Sequence, residues 1–62
     1  MDIYYAVDEN GDEVAFFDYP IRIHFANIWA SEIGGFVIPK GTIEKNFGKK
    51  LTWADDPIKE EV

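Results

Sequence analysis

Residues 36–53, Phe-Val-Ile-Pro-Lys-Gly-Thr-Ile-Glu-Lys-Asn-Phe-Gly-Lys-Lys-Leu-Thr-Trp, place strand formers, a helical turn and a second run of strand formers in immediate succession. Phe36, Val37 and Ile38 suit a pleated surface, and Pro39 removes a ladder donor, so a strand is expected over 35–39. Ile43 and Phe47 lie four apart on one helical face, Thr42 stands where a cap belongs, and Gly48 supplies a left-handed stop, which predicts a helical turn near 42–47. Lys49 and Lys50 suit the negative end of that turn, and Leu51-Thr52-Trp53 then reads as a strand over 50–53 before Asp55-Asp56-Pro57.

Upstream, Ile3 to Val7 and Val14 to Phe17 flank Asp8-Glu9-Asn10-Gly11-Asp12-Glu13, and Asn-Gly between strand formers is a strong hairpin signal. Strands over 3–7 and 13–18 follow. A two-residue turn at Asn10-Gly11 pairs Val7 with Val14 and Tyr5 with Phe16, and sets like charges opposite one another at the tip, Asp8 with Glu13 and Glu9 with Asp12. Asp8, Asn10 and Asp12 have the alternate spacing of a calcium loop, but the sixth and twelfth positions of such a loop hold Glu13 and Tyr19 in place of glycine and glutamate. No metal or other cofactor is expected.

Residues 21–25 alternate apolar with polar as a half-buried strand does, with Arg22 and His24 outward and Ile21, Ile23 and Phe25 inward. Residues 26–33 fit helix, strand or loop, and read best as an irregular stretch with one helical turn. The fold class expected is mainly β (α+β): a small antiparallel sheet or a partly closed five-stranded barrel with one helical turn. It forms a single domain over 1–57, followed by a frayed acidic tail over 58–62. Within it, Leu51 and Trp53 are expected on one face of the last strand, in one cluster with Ile43 and Phe47.

At 62 residues the chain buries only about 60% of its unfolded surface, so the core is small. It has no cysteine to staple it, and ten aromatic side chains are more than one small core hides, so some belong on the surface. The opening Met1-Asp2 lacks the basic region of a signal peptide and no apolar run reaches membrane-span length, so a cytoplasmic, non-membrane protein is expected.

The net charge of −6 is unevenly placed: −6 over residues 1–21, +3 over 22–53 and −3 over 54–62. That field repels phosphates and disfavours nucleic acid. No carboxylate sits in an apolar pocket pattern, the single histidine has no nucleophile near it in sequence, and Gly34-Gly35 lacks the lysine and helix of a phosphate cradle, so an enzyme is not expected.

The residues 39–45, Gly48, 50–53 and Asp55-Asp56-Pro57, with the Tyr4-Tyr5 pair before the acidic Asn-Gly turn, resemble a signature of small proteins encoded in phages and prophages of Gram-positive bacteria. The resemblance covers about the last third of the chain and implies a phage accessory product acting in a bacterial host, with no site residues to carry over. The leading functional expectation is a small acidic protein-binding module that docks on a basic surface of a host or phage protein through Asp8, Glu9, Asp12 and Glu13. The alternatives are a self-associating structural accessory, which makes a homodimer through exposed aromatics or a free sheet edge, and a weak single-stranded nucleic-acid binder through the basic middle segment with Trp29 and Trp53.

Overall fold

A computed structural model describes residues 1–62 and shows a mainly β protein with two antiparallel sheets and one short helix. The strands are β1 (Asp2–Val7), β2 (Glu13–Phe16), β3 (Ile21–Ile23), β4 (Ile28–Ala30), β5 (Gly35–Ile38) and β6 (Ile58–Glu61), with α1 (Thr42–Phe47) between β5 and β6. The larger sheet runs β5-β2-β1-β6, and β3 and β4 form a separate hairpin. The sheet is open, so the barrel alternative does not occur.

Alternation along the central strands divides the core in two. Tyr5, Val7 and Ala15 point to one face, where Ile43 of α1 is buried among them and Ile3, Ile38, Phe47, Leu51 and Ile58 pack around. Ala6, Val14 and Phe16 point to the other, where Trp29 of β4 covers them with Tyr4 and Trp53 at its margin. The sheet is therefore sandwiched between a helical turn and a hairpin, which lets so short a chain bury both faces of its central strands.

The β1–β2 register differs by one from the expected one: Val7 faces Glu13, Ala6 faces Val14 and Tyr5 faces Ala15. The loop is longer than a two-residue turn. The Gly11 amide donates to the Asp8 carbonyl, the Asp8 amide donates to the Asp12 carbonyl, and Gly11 takes φ +94° after the turn. This is a three-residue loop with a left-handed glycine, and the amide of Asp12 donates to the Asn10 side chain within it. The like-charged pairs expected at the tip are accordingly replaced by Asp8 beside Asp12.

Residues 50–53 do not form a strand. The side chain of Asp55 accepts from the Thr52 amide at 2.8 Å, and the Asp55 amide donates to the Thr52 carbonyl, so the run closes into a turn. Leu51 stays on the α1 face while Trp53 crosses to the hairpin face, which separates the four residues expected in one cluster. The fourth partner of the sheet comes instead from the tail: β6 pairs with β1 from Asp2 with Glu61 to Tyr5 with Ile58. Ile58 faces the core here, and Lys59 and Glu61 alternate away from it, so the supposedly frayed residues are an ordered edge strand.

The segment 26–33 contains β4. Its turn from β3 places Asn27 at φ 59°, a conformation asparagine tolerates, and β4 then sets Trp29 directly opposite Arg22. The inward residue of β3 is consequently Arg22, while Ile21 is 61% and Phe25 94% exposed, the reverse of the expectation at these three positions; His24 is exposed as expected and Ile23 is half-buried. Thr42–Phe47 matches the expected helical turn, and Gly48 ends it at φ 74° with its amide on the Glu44 carbonyl.

Candidate interaction surface

The four acidic residues singled out at the hairpin tip are close together in the fold, but they do different work. Asp8 is buried and its Oδ1 accepts the Trp29 amide at 2.8 Å, while Trp29 Nε1 donates to the Val7 carbonyl at 2.9 Å. Burial raises the Asp8 pKa, the Trp29 amide works against that rise, and the charge of Asp12 adds to it. Glu13 reaches from β2 to α1, where its two oxygens accept from the amides of Gly41 at 2.7 Å and Ile43 at 2.9 Å. It caps the helical turn from a distant strand, in the role expected of Thr42, whose hydroxyl instead donates to the Pro39 carbonyl. Asp12 bonds the Asn10 side chain, and Glu9 alone projects a carboxylate with no partner.

The aromatic and basic groups of the middle segment are similarly engaged. The Arg22 guanidinium lies 4.6 Å from the Trp29 ring and 5.2 Å from that of Trp53, and donates to the Trp53 and Asp55 carbonyls. The two tryptophans meet edge to face at 5.9 Å and His24 stands edge-on to Trp53. Trp29 is buried and Trp53 half-buried, each packed against the other and against the arginine. The three surface depressions, of about 410, 360 and 370 Å³, are open to solvent, and no three acidic or histidine side chains converge.

What the molecule does present is an apolar edge strand, paired on one side only. The sheet has two edges and they differ in character. β6 carries Lys59, Glu60 and Glu61, with Lys59 3.8 Å from Asp2, and charge of this kind blunts a free edge. β5 carries Gly35-Phe36-Val37-Ile38, with Phe36 51% and Val37 66% exposed. Phe36 stacks edge to face on Phe17 at 5.3 Å, and Ile33 just before the strand is 70% exposed.

The hydrogen-bond phase decides which groups of β5 are free. The Asp8 amide bonds to Asp12, so even-numbered residues of β2 face β1 and Glu13 and Ala15 face β5. Their partners Ile38 and Phe36 point inward, and the N–H and C=O groups of Gly35 and Val37 point off the sheet. Gly35 is required here: a Cβ on it would lie 2.5 Å from Phe16 Cε2 and 2.8 Å from Val14 Cγ1, so the Phe16 ring lies against the bare glycine.

The acidic tip was legible from composition, whereas the β5 edge was not, since strand order decides which strand is left open. Comparison with known proteins gives no match to a family model, to a curated protein or to a solved structure. No helix is long and apolar enough to cross a membrane.

Proposed function

We propose that this chain is a small acidic protein-binding module without chemistry of its own, which adds a strand of another protein to its free β5 edge. The observation that supports this is the contrast between the two edges: one is charged, and the other displays Phe36 and Val37 with unpaired backbone groups. Strand addition takes its affinity from main-chain hydrogen bonds and its specificity from side-chain contacts on alternate positions. The Phe17–Phe36 pair would provide the apolar anchor on one face and Val37 on the other. Glu9 and Asp12 would act from the rim, where charge steers encounter more than it adds affinity. The resemblance to small phage proteins makes a host or phage protein the partner class to search.

The test is capture from bacterial lysate with tagged protein, comparing Val37→Lys with the paired change Glu9→Gln and Asp12→Asn. Edge lysine blocks strand addition, so Val37→Lys should abolish capture while the tip variant retains it. Capture that survives Val37→Lys and disappears with the tip variant would transfer the contact to the acidic loop.

A further inference from the structure

We propose that, where no other protein occupies it, the β5 edge is filled by a second copy of this chain, paired antiparallel through β5 with Phe36 on the two-fold axis, so that two four-stranded sheets join into one. The inference rests on the strand-addition reading and names the strand that fills the edge in the isolated protein.

The register follows from which groups are free. Gly35 and Val37 turn their N–H and C=O outward, and the next outward residue, Pro39, has no N–H to give. In an antiparallel pair outward residues must face one another. A two-fold axis at Phe36 sets Gly35 of each copy against Val37 of the other and satisfies every outward group of both residues. An axis at Val37 sets Gly35 against Pro39 and leaves the Gly35 carbonyl without a donor. An axis at Gly35 calls on Ile33, beyond the bend at Gly34, where φ is +93° and the strand has ended.

Side chains fit the same register. Val37 of one copy would stand over Gly35 of the other, where the absence of a Cβ leaves it facing the Phe16 ring that already fills the space. Phe36 would oppose its own copy in a non-hydrogen-bonded pair, extending the Phe17–Phe36 contact into a row of four rings across the axis. The ends of the edge differ in charge. Asp18, which accepts the Ile33 amide, and Glu32 lie at the start of β5, and Lys40 lies just past its end. Glu13 is also near that end, but its carboxylate is occupied by the two amides of α1. Antiparallel pairing about Phe36 brings Lys40 of each copy opposite Glu32 of the other, whereas parallel pairing would join like ends. On the β6 edge the equivalent pairing about Glu60 would set Lys59 against Glu61 but place two Glu60 carboxylates face to face, and like charges directly opposite are destabilising.

The chain has no cysteine, so Phe36→Cys introduces a single thiol. Opposed non-hydrogen-bonded residues have Cα atoms about 4.5 Å apart, within the span of a disulfide. Under mild oxidation Phe36→Cys should form a covalent dimer rapidly, and Ile33→Cys and Glu61→Cys should not. Sedimentation of the unmodified protein should show a monomer–dimer equilibrium below about 1 mM, a dissociation constant at which association is worth about 4 kcal/mol. Lys40→Glu should weaken it about tenfold by setting like charges at both ends, and adding Glu32→Lys should restore it. A monomer at every concentration, with Phe36→Cys no faster to cross-link than Ile33→Cys, would overturn the dimer. If Val37→Lys then still abolished capture of another protein, the strand-addition reading would stand without it; if Val37→Lys changed neither dimerisation nor capture, both would fall.

Discussion

Replacing Glu13 by alanine should unseat α1. The helix has only six residues, too few to hold itself in water, because the first turn fixes several backbone dihedrals for one hydrogen bond. Two free amides at its start, those of Ile43 and of Gly41, the residue before the helix, are satisfied by Glu13 at 2.9 and 2.7 Å. A hydrogen bond to a charged group contributes about 1.5–3 kcal/mol when shielded, and the partial exposure of this pair brings each nearer 1, so Glu13→Ala should cost about 2 kcal/mol. Loss of the cap also frees Ile43, which is 1% exposed and sits in the middle of the α1-side core. In a domain of this size 1 kcal/mol moves the melting temperature by roughly 4–8 °C, so the variant should melt about 8–16 °C lower. Glu13→Gln keeps an acceptor without the charge and should lose about half as much. Thermal unfolding followed by circular dichroism, at a concentration low enough that association does not add to stability, measures both. A Glu13→Ala protein within about 0.5 kcal/mol of the parent would show that burial of Ile43 alone holds the helix.

Trp53→Ala removes a half-buried ring stacked on Trp29, and should cost about 2 kcal/mol against the 3–5 typical of a fully buried aromatic, leaving a folded protein with red-shifted Trp29 emission; a denaturation profile already unfolded in buffer would contradict the marginal position of Trp53. Gly35→Ala drives a Cβ into Phe16 and should destabilise by about 1–3 kcal/mol in urea titration, with an unchanged midpoint refuting the close approach. The Tyr5 hydroxyl donates to Glu60 at 2.7 Å, and this bond, reinforced by burial and by the Glu60 charge, pushes its pKa up to about 12 from 10.0. The folded state therefore holds the tyrosine proton more tightly, so this contribution to stability is complete below pH 10 and is lost as pH rises from 10 towards 12. Tyr5→Phe should flatten the urea midpoint across that window, and a variant that keeps the parent's slope there would place its origin elsewhere.

Local signals located the hairpin, the helical turn and its glycine stop because each depends on residues adjacent in sequence. Gly48, Pro39 and the Asn10-Gly11 pair act within a few residues of themselves. The failures share a cause. Leu51-Thr52-Trp53 has strand propensity, but the Asp55 side chain satisfies the Thr52 amide and turns the chain, and propensity counts do not register that competition. Arg22 faces inward because two tryptophans await it, one from β4 and one from the last turn, and neither position is readable from the alternation of residues 21–25. Lys59, Glu60 and Glu61 look like a solvated tail, and only the pairing of Ile58 with Tyr5 shows that alternate residues face the core. The acidic tip was visible as a charge cluster, yet the division of its carboxylates between Trp29, α1 and solvent depends on elements roughly 20–30 positions away.

The position of β6 has a consequence for how the protein comes into being. Its strand closes on β1 across nearly the whole chain, with the Tyr5–Glu60 bond spanning 55 positions. During synthesis β1 emerges before β6, so the outward amides of Ile3 and Tyr5 face water, or a neighbouring nascent chain, until the residues between the two strands have been made. Contacts of such separation repay their loop-closure entropy late and slow the final step of assembly. The nascent protein thus passes through a stage with two sticky edges, β1 and β5, and the charges on residues 59–61 reach the ladder in time to silence only one of them.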